Sequence, residues 1–73
     1  MQNNIKKARQ AAKKSQMQTA IHMDTTQAQI SKWETGKQDI TLEKAAQLAD
    51  YLLVSLDYLA GRTDEPKNPN VKE

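Results

Sequence analysis

The sequence predicts an all-α fold of five short helices, and three observations carry that prediction. The first is a pair of helix starts. Ser15 with Gln18, and Thr26 with Gln29, each place a capping hydroxyl three residues before a glutamine that can reach back to it, the pattern of a capping box. The second is the gap between them. Only Met23, Asp24 and Thr25 separate the two helices, too few residues for anything but a turn, so the stretch Ser15 to Lys37 reads as a helix-turn-helix. The third is the run from Leu42 to Leu53, where Leu42, Ala45, Ala46, Ala49, Leu52 and Leu53 follow helical spacing and form the strongest amphipathic signal in the chain.

Taken in order, Asn3 or Asn4 can cap a first helix, in which Ile5, Ala8 and Ala12 make a narrow apolar stripe and which ends near Lys14. Its lysines suit the negative end of the helix dipole and could equally face phosphates. The second helix spans Gln16 to Met23, with Ala20 and Met23 as its clearest core residues. Gln16 lies at its first position, beside free backbone N–H groups, where a phosphate contact is expected. The third helix runs from Gln27 to Thr35, with Ile30 and Trp33 facing inward together and Gly36 as its stop, because glycine takes the left-handed conformation at little cost. Thr41 caps the fourth helix. Ser55 caps a short fifth helix that stops at Gly61. Leu52, Leu53, Val54, Leu56, Tyr58 and Leu59 exceed what one short helix buries: either some of them form a dimer contact, or all complete a small core. The domain is thus expected over residues 1–61. Residues 62–73, with both prolines and almost no hydrophobic side chains, read as a flexible tail.

The outer faces of the third helix carry Gln27, Ala28, Ser31, Lys32 and Thr35. A glutamine amide can donate to and accept from adenine, an alanine methyl can touch a thymine methyl, and a lysine can reach guanine acceptors or a phosphate. The face therefore suits the floor of a DNA major groove. A solvated surface rich in glutamine accounts for the same composition.

Charge favours the first reading. Residues 1–37 hold seven basic and two acidic side chains, whereas residues 38–61 hold one basic and four acidic ones. The positive charge lies in the half with the helix pair, the footprint of a polyanion partner. Composition sets further limits. Seventy-three residues with 37% hydrophobic and 4% aromatic content allow one small aliphatic core and no more. There is no cysteine for a disulfide or thiolate site, no apolar run long enough to span a membrane, and no apolar core in residues 1–15 for a signal peptide.

Chemistry finds no foothold. His22 is the single histidine and is expected on the surface, so no metal site is assigned. Gly36-Lys37-Gln38 lacks the upstream glycine and the hydroxyl residue of a phosphate loop. No nucleophile–base pair is present, so the chain is read as no enzyme and as needing no cofactor. Trp33 shares a face with Ile30 and belongs to the core, and Glu34 finds its simplest use in a salt bridge to Arg9.

These residues carry a resemblance. Ser15-Gln16, Ala20, the run ISKWETGK from Ile30 to Lys37 and the run SLDYLAGRTDEP from Ser55 to Pro66 resemble the helix-turn-helix family of the phage Cro and repressor N-terminal domains, across about Ile5 to Gly61. The resemblance implies a compact five-helix bundle, phage-repressor-like, that binds operator DNA, usually as a homodimer. By position it implies base contacts from Gln27, Ala28, Gln29 and Lys32. It implies sugar-phosphate contacts from Gln16, Thr26, Ser31, Thr35 and Lys37, and a structural bridge between Arg9 and Glu34. It is similar, more narrowly, to small prophage-type repressors, which implies a cytoplasmic, bacterial or phage-encoded regulator with double-stranded DNA as partner and no membrane. The same fold also serves antitoxins and transcription-machinery adaptors, which act through a protein partner. The chain departs from the family in having Lys13-Lys14 for Gly-Leu, Thr19 for Leu, Asp24 for Gly, and Ala8 for a larger apolar residue. Thr19 and Ala8 predict a lightly packed core around the first two helices. A recognition helix without arginine favours A·T-rich sites.

Overall fold

The computed structural model describes residues 3–67. It contains α1 (Ile5–Ala11), α2 (Gln16–His22), α3 (Gln27–Thr35), α4 (Leu42–Leu52) and α5 (Leu56–Leu59). The architecture is all-α, as the sequence predicts. Residues 1–2 of the expected domain and residues 68–73 of the expected tail lie outside the described residues.

Each of the last four helices starts on a hydroxyl. Ser15, Thr26, Thr41 and Ser55 accept from the backbone N–H three residues on, at Gln18, Gln29, Lys44 and Tyr58. At Ser15 the capping box is complete, because the Gln18 side chain also accepts from the Ser15 N–H at 2.8 Å. At Thr26 only half of the expected box forms. The Gln29 amide turns away and donates to the Gln38 side chain at 3.1 Å. The first helix has no side-chain cap at Asn4. Instead Asn3 Oδ1 accepts from the Ile5 N–H, while the two asparagine amides donate to Trp33 O and Tyr58 O. These two bonds tie the start of α1 to the ends of α3 and α5.

Four helix ends share one lock, in which the second residue beyond the cap bonds back across six residues and the first bonds across four. The pairs are Lys14 N–H to Arg9 O for α1, Thr25 to Ala20 for α2, Val54 to Ala49 for α4, and Arg62 to Asp57 for α5. The lock requires a left-handed residue, supplied by Lys13, Asp24, Leu53 and Gly61 in turn. This explains why α1 stops at Ala11 rather than near Lys14: φ of 59° at Lys13 ends the helix.

The core joins Ile5 and Ala8 of α1, Ala20 and Met23 from the α2 side, and Ile30 and Trp33 of α3. Leu48, Ala49 and Leu52 of α4 meet Val54, Tyr58 and Leu59 beneath them. Ala8 and Thr19, the two residues smaller or more polar than the family pattern, are both fully buried, and the Thr19 hydroxyl donates to Ser15 O at 2.9 Å. The expected stripe of α4 needs correction. Ala45, Leu48, Ala49 and Leu52 are buried, whereas Leu42, Ala46 and Leu53 are exposed. Leu48 is 0% exposed and Leu53 is 64% exposed, so the buried face is rotated by about 50° from where the sequence pattern put it. Of the six apolar residues between Leu52 and Leu59, Leu53 is exposed, Leu56 is half-buried and the other four are core.

The stretch expected to be a flexible tail also differs over its first part. Ser55 N–H donates to Pro66 O at 2.9 Å, and Val54 and Lys67 form an isolated antiparallel bridge. Arg62 to Lys67 therefore returns to the α4–α5 junction.

Candidate nucleic-acid interface

The helix pair sets the geometry. A turn of about 100° per residue brings Gln27, Ala28, Ser31, Lys32 and Thr35 into an arc of about 140° on α3. Ile30 and Trp33 occupy the opposite side and are buried, which fixes which arc faces out. Gln27, Ala28, Lys32 and Thr35 are exposed, and Ser31 is half-buried. Gln29 stands apart from them. It is half-buried, lies on the border with Trp33, and its amide is engaged by Gln38. Of the four residues expected to meet bases, three therefore share one outward face and Gln29 sits at its edge.

Of the residues expected to meet the sugar-phosphate backbone, Ser31 and Thr35 lie within that arc, while Thr26 precedes α3 and Lys37 follows it. Thr26 spends its hydroxyl oxygen on the Gln29 N–H as N-cap at 3.1 Å. Thr35 donates its hydroxyl to Ser31 O at 2.9 Å. Lys37 follows Gly36, whose left-handed φ of 76° ends α3, and is exposed.

Gln16 is where the arrangement becomes specific. Glu34 accepts from Arg9 Nε at 2.5 Å and from Arg9 Nη2 at 3.3 Å, and its Oε1 also accepts from Gln16 Nε2 at 3.0 Å. Gln27 Nε2 in turn donates to Gln16 Oε1 at 3.2 Å. A carboxylate only accepts, so it must receive the Gln16 NH₂ group, which leaves the Gln16 carbonyl for Gln27. The buried ion pair thus sets the direction of a relay that ends on an exposed amide at the head of α3. Gln27 keeps one amide N–H and its carbonyl oxygen free for a ligand. The bridge between Arg9 and Glu34, implied by resemblance, is present between two buried side chains, and Arg9 Nη1 also donates to Lys14 O at 2.9 Å. The extension through Gln16 to Gln27 has no sequence signal. Its partners are 11 and 18 residues apart on different helices, and nothing local marks them.

His22 is exposed as expected, but it is not free. Its ring stacks on Tyr51 with centroids 3.8 Å apart, and Lys14 Nζ stands 5.5 Å from the same Tyr51 ring. This joins α2 to α4. No described helix is long and apolar enough to cross a membrane.

A compact set of five helices with a helix-turn-helix and an outward amide-rich helix face defines a DNA-binding class of domain. The profile of the helix-turn-helix family matches residues 5–59. The chain belongs to this Cro/C1-type helix-turn-helix family, a family of DNA-binding regulatory domains. No curated protein matches it.

Proposed function

We propose that the protein is a sequence-specific transcriptional regulator, acting as a repressor from a two-fold operator. The observation that carries this reading is the relay from Arg9 through Glu34 and Gln16, which orients the Gln27 amide on an exposed helix face. Gln27, Ala28 and Lys32 read base edges, with Gln29 contributing at the border. Gln16, Thr26, Ser31, Thr35 and Lys37 hold the sugar-phosphate backbone and set the register. Two copies place their α3 helices in successive major grooves about 34 Å apart on one face of the duplex. Repression follows where such a site overlaps a promoter, in the cytoplasm of a bacterial cell.

A groove of about 250 Å³ supports the homodimer. Ile40, Leu42, Ala45, Leu56 and Leu59 line it, together with Asp39, Asp57 and Arg62. Gln38 also lines it and is bonded to Gln29 of α3, so a second copy seated there lies beside the end of the recognition helix. The same apolar surface, with Leu42 73% exposed, favours one alternative, an antitoxin or adaptor that works mainly through another protein.

Binding to selected and random-sequence duplexes across a salt series tests the proposal. A selected site bound at least about 10³-fold more tightly than random DNA, with a steep salt slope and two-fold symmetry, is the expected result. Weak binding without sequence preference would end the stand-alone regulator and leave the protein-partner reading.

A further inference from the structure

Lys13 occupies the left-handed region, with φ of 59°. There a Cβ crowds the following carbonyl, and glycine alone is free of the penalty. Among the described residues Asp24 and Leu53 share this conformation, and Asp24 has a short polar side chain that tolerates it. Lysine has no such property. The surroundings hold it in place. Lys13 N–H donates to Gln10 O at 3.0 Å, Lys14 N–H donates to Arg9 O at 3.1 Å, and Lys14 O accepts from Arg9 Nη1 at 2.9 Å. Arg9 is itself fixed by Glu34 of α3. A strained conformation persists where its neighbours over-determine it, and such positions cluster at functional sites.

Packing does not explain the lysine. Lys13 is exposed, and its ammonium has no ion pair, hydrogen bond or ring contact among the described residues. Its neighbour Lys14 is different, since it stands over Tyr51. Location does offer an explanation. Three residues beyond Lys13 is Gln16, whose amide touches Gln27 at the head of α3. Three residues span at most about 11 Å, so the Lys13 backbone lies within that distance of the Gln16 backbone.

We propose that Lys13 is a phosphate clamp. Its ammonium pairs with one backbone phosphate on the strand that borders the groove entered by α3, and the domain keeps a less stable turn to hold it there. The proposal rests on the DNA-binding reading and adds a residue which that reading does not use. As a point charge the lysine contributes affinity without sequence preference, through release of one condensed counterion.

The test compares the full chain with Lys13→Gly, Lys13→Asn and Lys13→Arg, by thermal melting and by binding to a selected and a random duplex across a salt series. Lys13→Gly should raise the melting temperature by about 4–8 °C. It should nevertheless weaken binding to the two-fold selected duplex by about ten- to a hundred-fold near physiological salt and lower the salt slope by about 1.8, two lysines being lost, and weaken random-duplex binding by about three- to ten-fold and 0.9 in slope for each copy bound. Lys13→Asn removes the charge without the added chain freedom of glycine and should show the same loss of slope. Lys13→Arg should keep the slope of the unaltered protein, and Lys44→Ala, on the acidic half, should leave it unchanged. If Lys13→Gly and Lys13→Asn bind with an unchanged slope while the unaltered chain still prefers its selected site, the clamp is wrong and the DNA-binding reading stands. If the unaltered chain binds neither duplex, both fall together.

Discussion

Replacing Glu34 by alanine strands a buried charge, and the structure gives the scale of the damage. The Arg9 and Glu34 side chains are 11% and 2% exposed. The carboxylate takes two hydrogen bonds from Arg9 and one from Gln16, and without it the guanidinium keeps only Lys14 O. Removing one partner of a buried pair costs about 3–5 kcal/mol. A domain of this size rarely holds more than about 3–5 kcal/mol in total. The two figures match, so Glu34→Ala should leave much of the chain unfolded at room temperature. The melting point should fall by about 12–40 °C, at about 4–8 °C per kcal/mol. Arg9→Met combined with Glu34→Leu removes both charges, and apolar residues in place of a buried pair are neutral or stabilising by about 1–4 kcal/mol. The Gln16 amide and the Lys14 carbonyl then lose partners at about 1 kcal/mol each, which keeps the double variant within about 2 kcal/mol of the original. Urea and thermal unfolding followed by far-UV circular dichroism measure all three proteins. A double variant no more stable than Glu34→Ala would refute the reasoning, because the loss would then not come from the stranded guanidinium.

Gln27→Ala should cost about 1–3 kcal/mol on a selected duplex and relax preference at one base pair, whereas an equal loss on every sequence would contradict base reading. Leu48→Ala, at a fully buried site, should lower stability by about 2–5 kcal/mol in urea unfolding, and a smaller loss would mean that the neighbouring helices close the gap. Leu53→Gly relieves a left-handed leucine that is also exposed, and should raise the melting temperature by about 4–8 °C. A lower melting temperature would show that Leu53 packs against something in the folded protein, such as a second copy.

Helix starts were legible because a cap is a local event: a hydroxyl and the N–H three residues on suffice, and Ser15, Thr26, Thr41 and Ser55 all declare themselves. Helix ends were legible where glycine marks them, at Gly36 and Gly61, and at Asp24, where the short gap between two helix starts forces a turn. At Lys13 and Leu53 tertiary bonds impose the left-handed turn on residues that do not prefer it, so α1 was read too long and Leu53 was placed on the buried stripe. Leu48 was overlooked because a run of Ala45, Ala46 and Ala49 is apolar over too wide an arc to fix the centre of the face. The segment 62–67 gave no signal, since it meets the α4–α5 junction largely through its own backbone, at Pro66 O, at Glu65 O and in the bridge to Val54, which no residue type announces. The outward face of α3 was legible from spacing, but the relay that orients Gln27 is assembled from three helices and has no sequence period.

That relay matters because no described helix is long enough to stand by itself. The longest has 11 residues and α3 has 9, whereas isolated helices shorter than about 12–15 residues are marginal in water. The outward face of α3 therefore exists only while the core holds it, through the buried Ile30 and Trp33 and through the ion pair of Glu34 with Arg9. Gln27 gains in a second way. A free glutamine side chain gives up as much as about 1.5–2 kcal/mol of rotamer freedom when a ligand fixes it. Here the bond to Gln16 has restricted that side chain before any ligand arrives, and the buried carboxylate dictates which end of the amide is used. What remains exposed is one N–H and one carbonyl oxygen, the donor–acceptor pair that the N7 and N6 edge of adenine complements. In the proposed role, folding and recognition are thus one event: the ion pair that keeps α3 in the bundle also settles in advance which hydrogen bonds its first residue can offer.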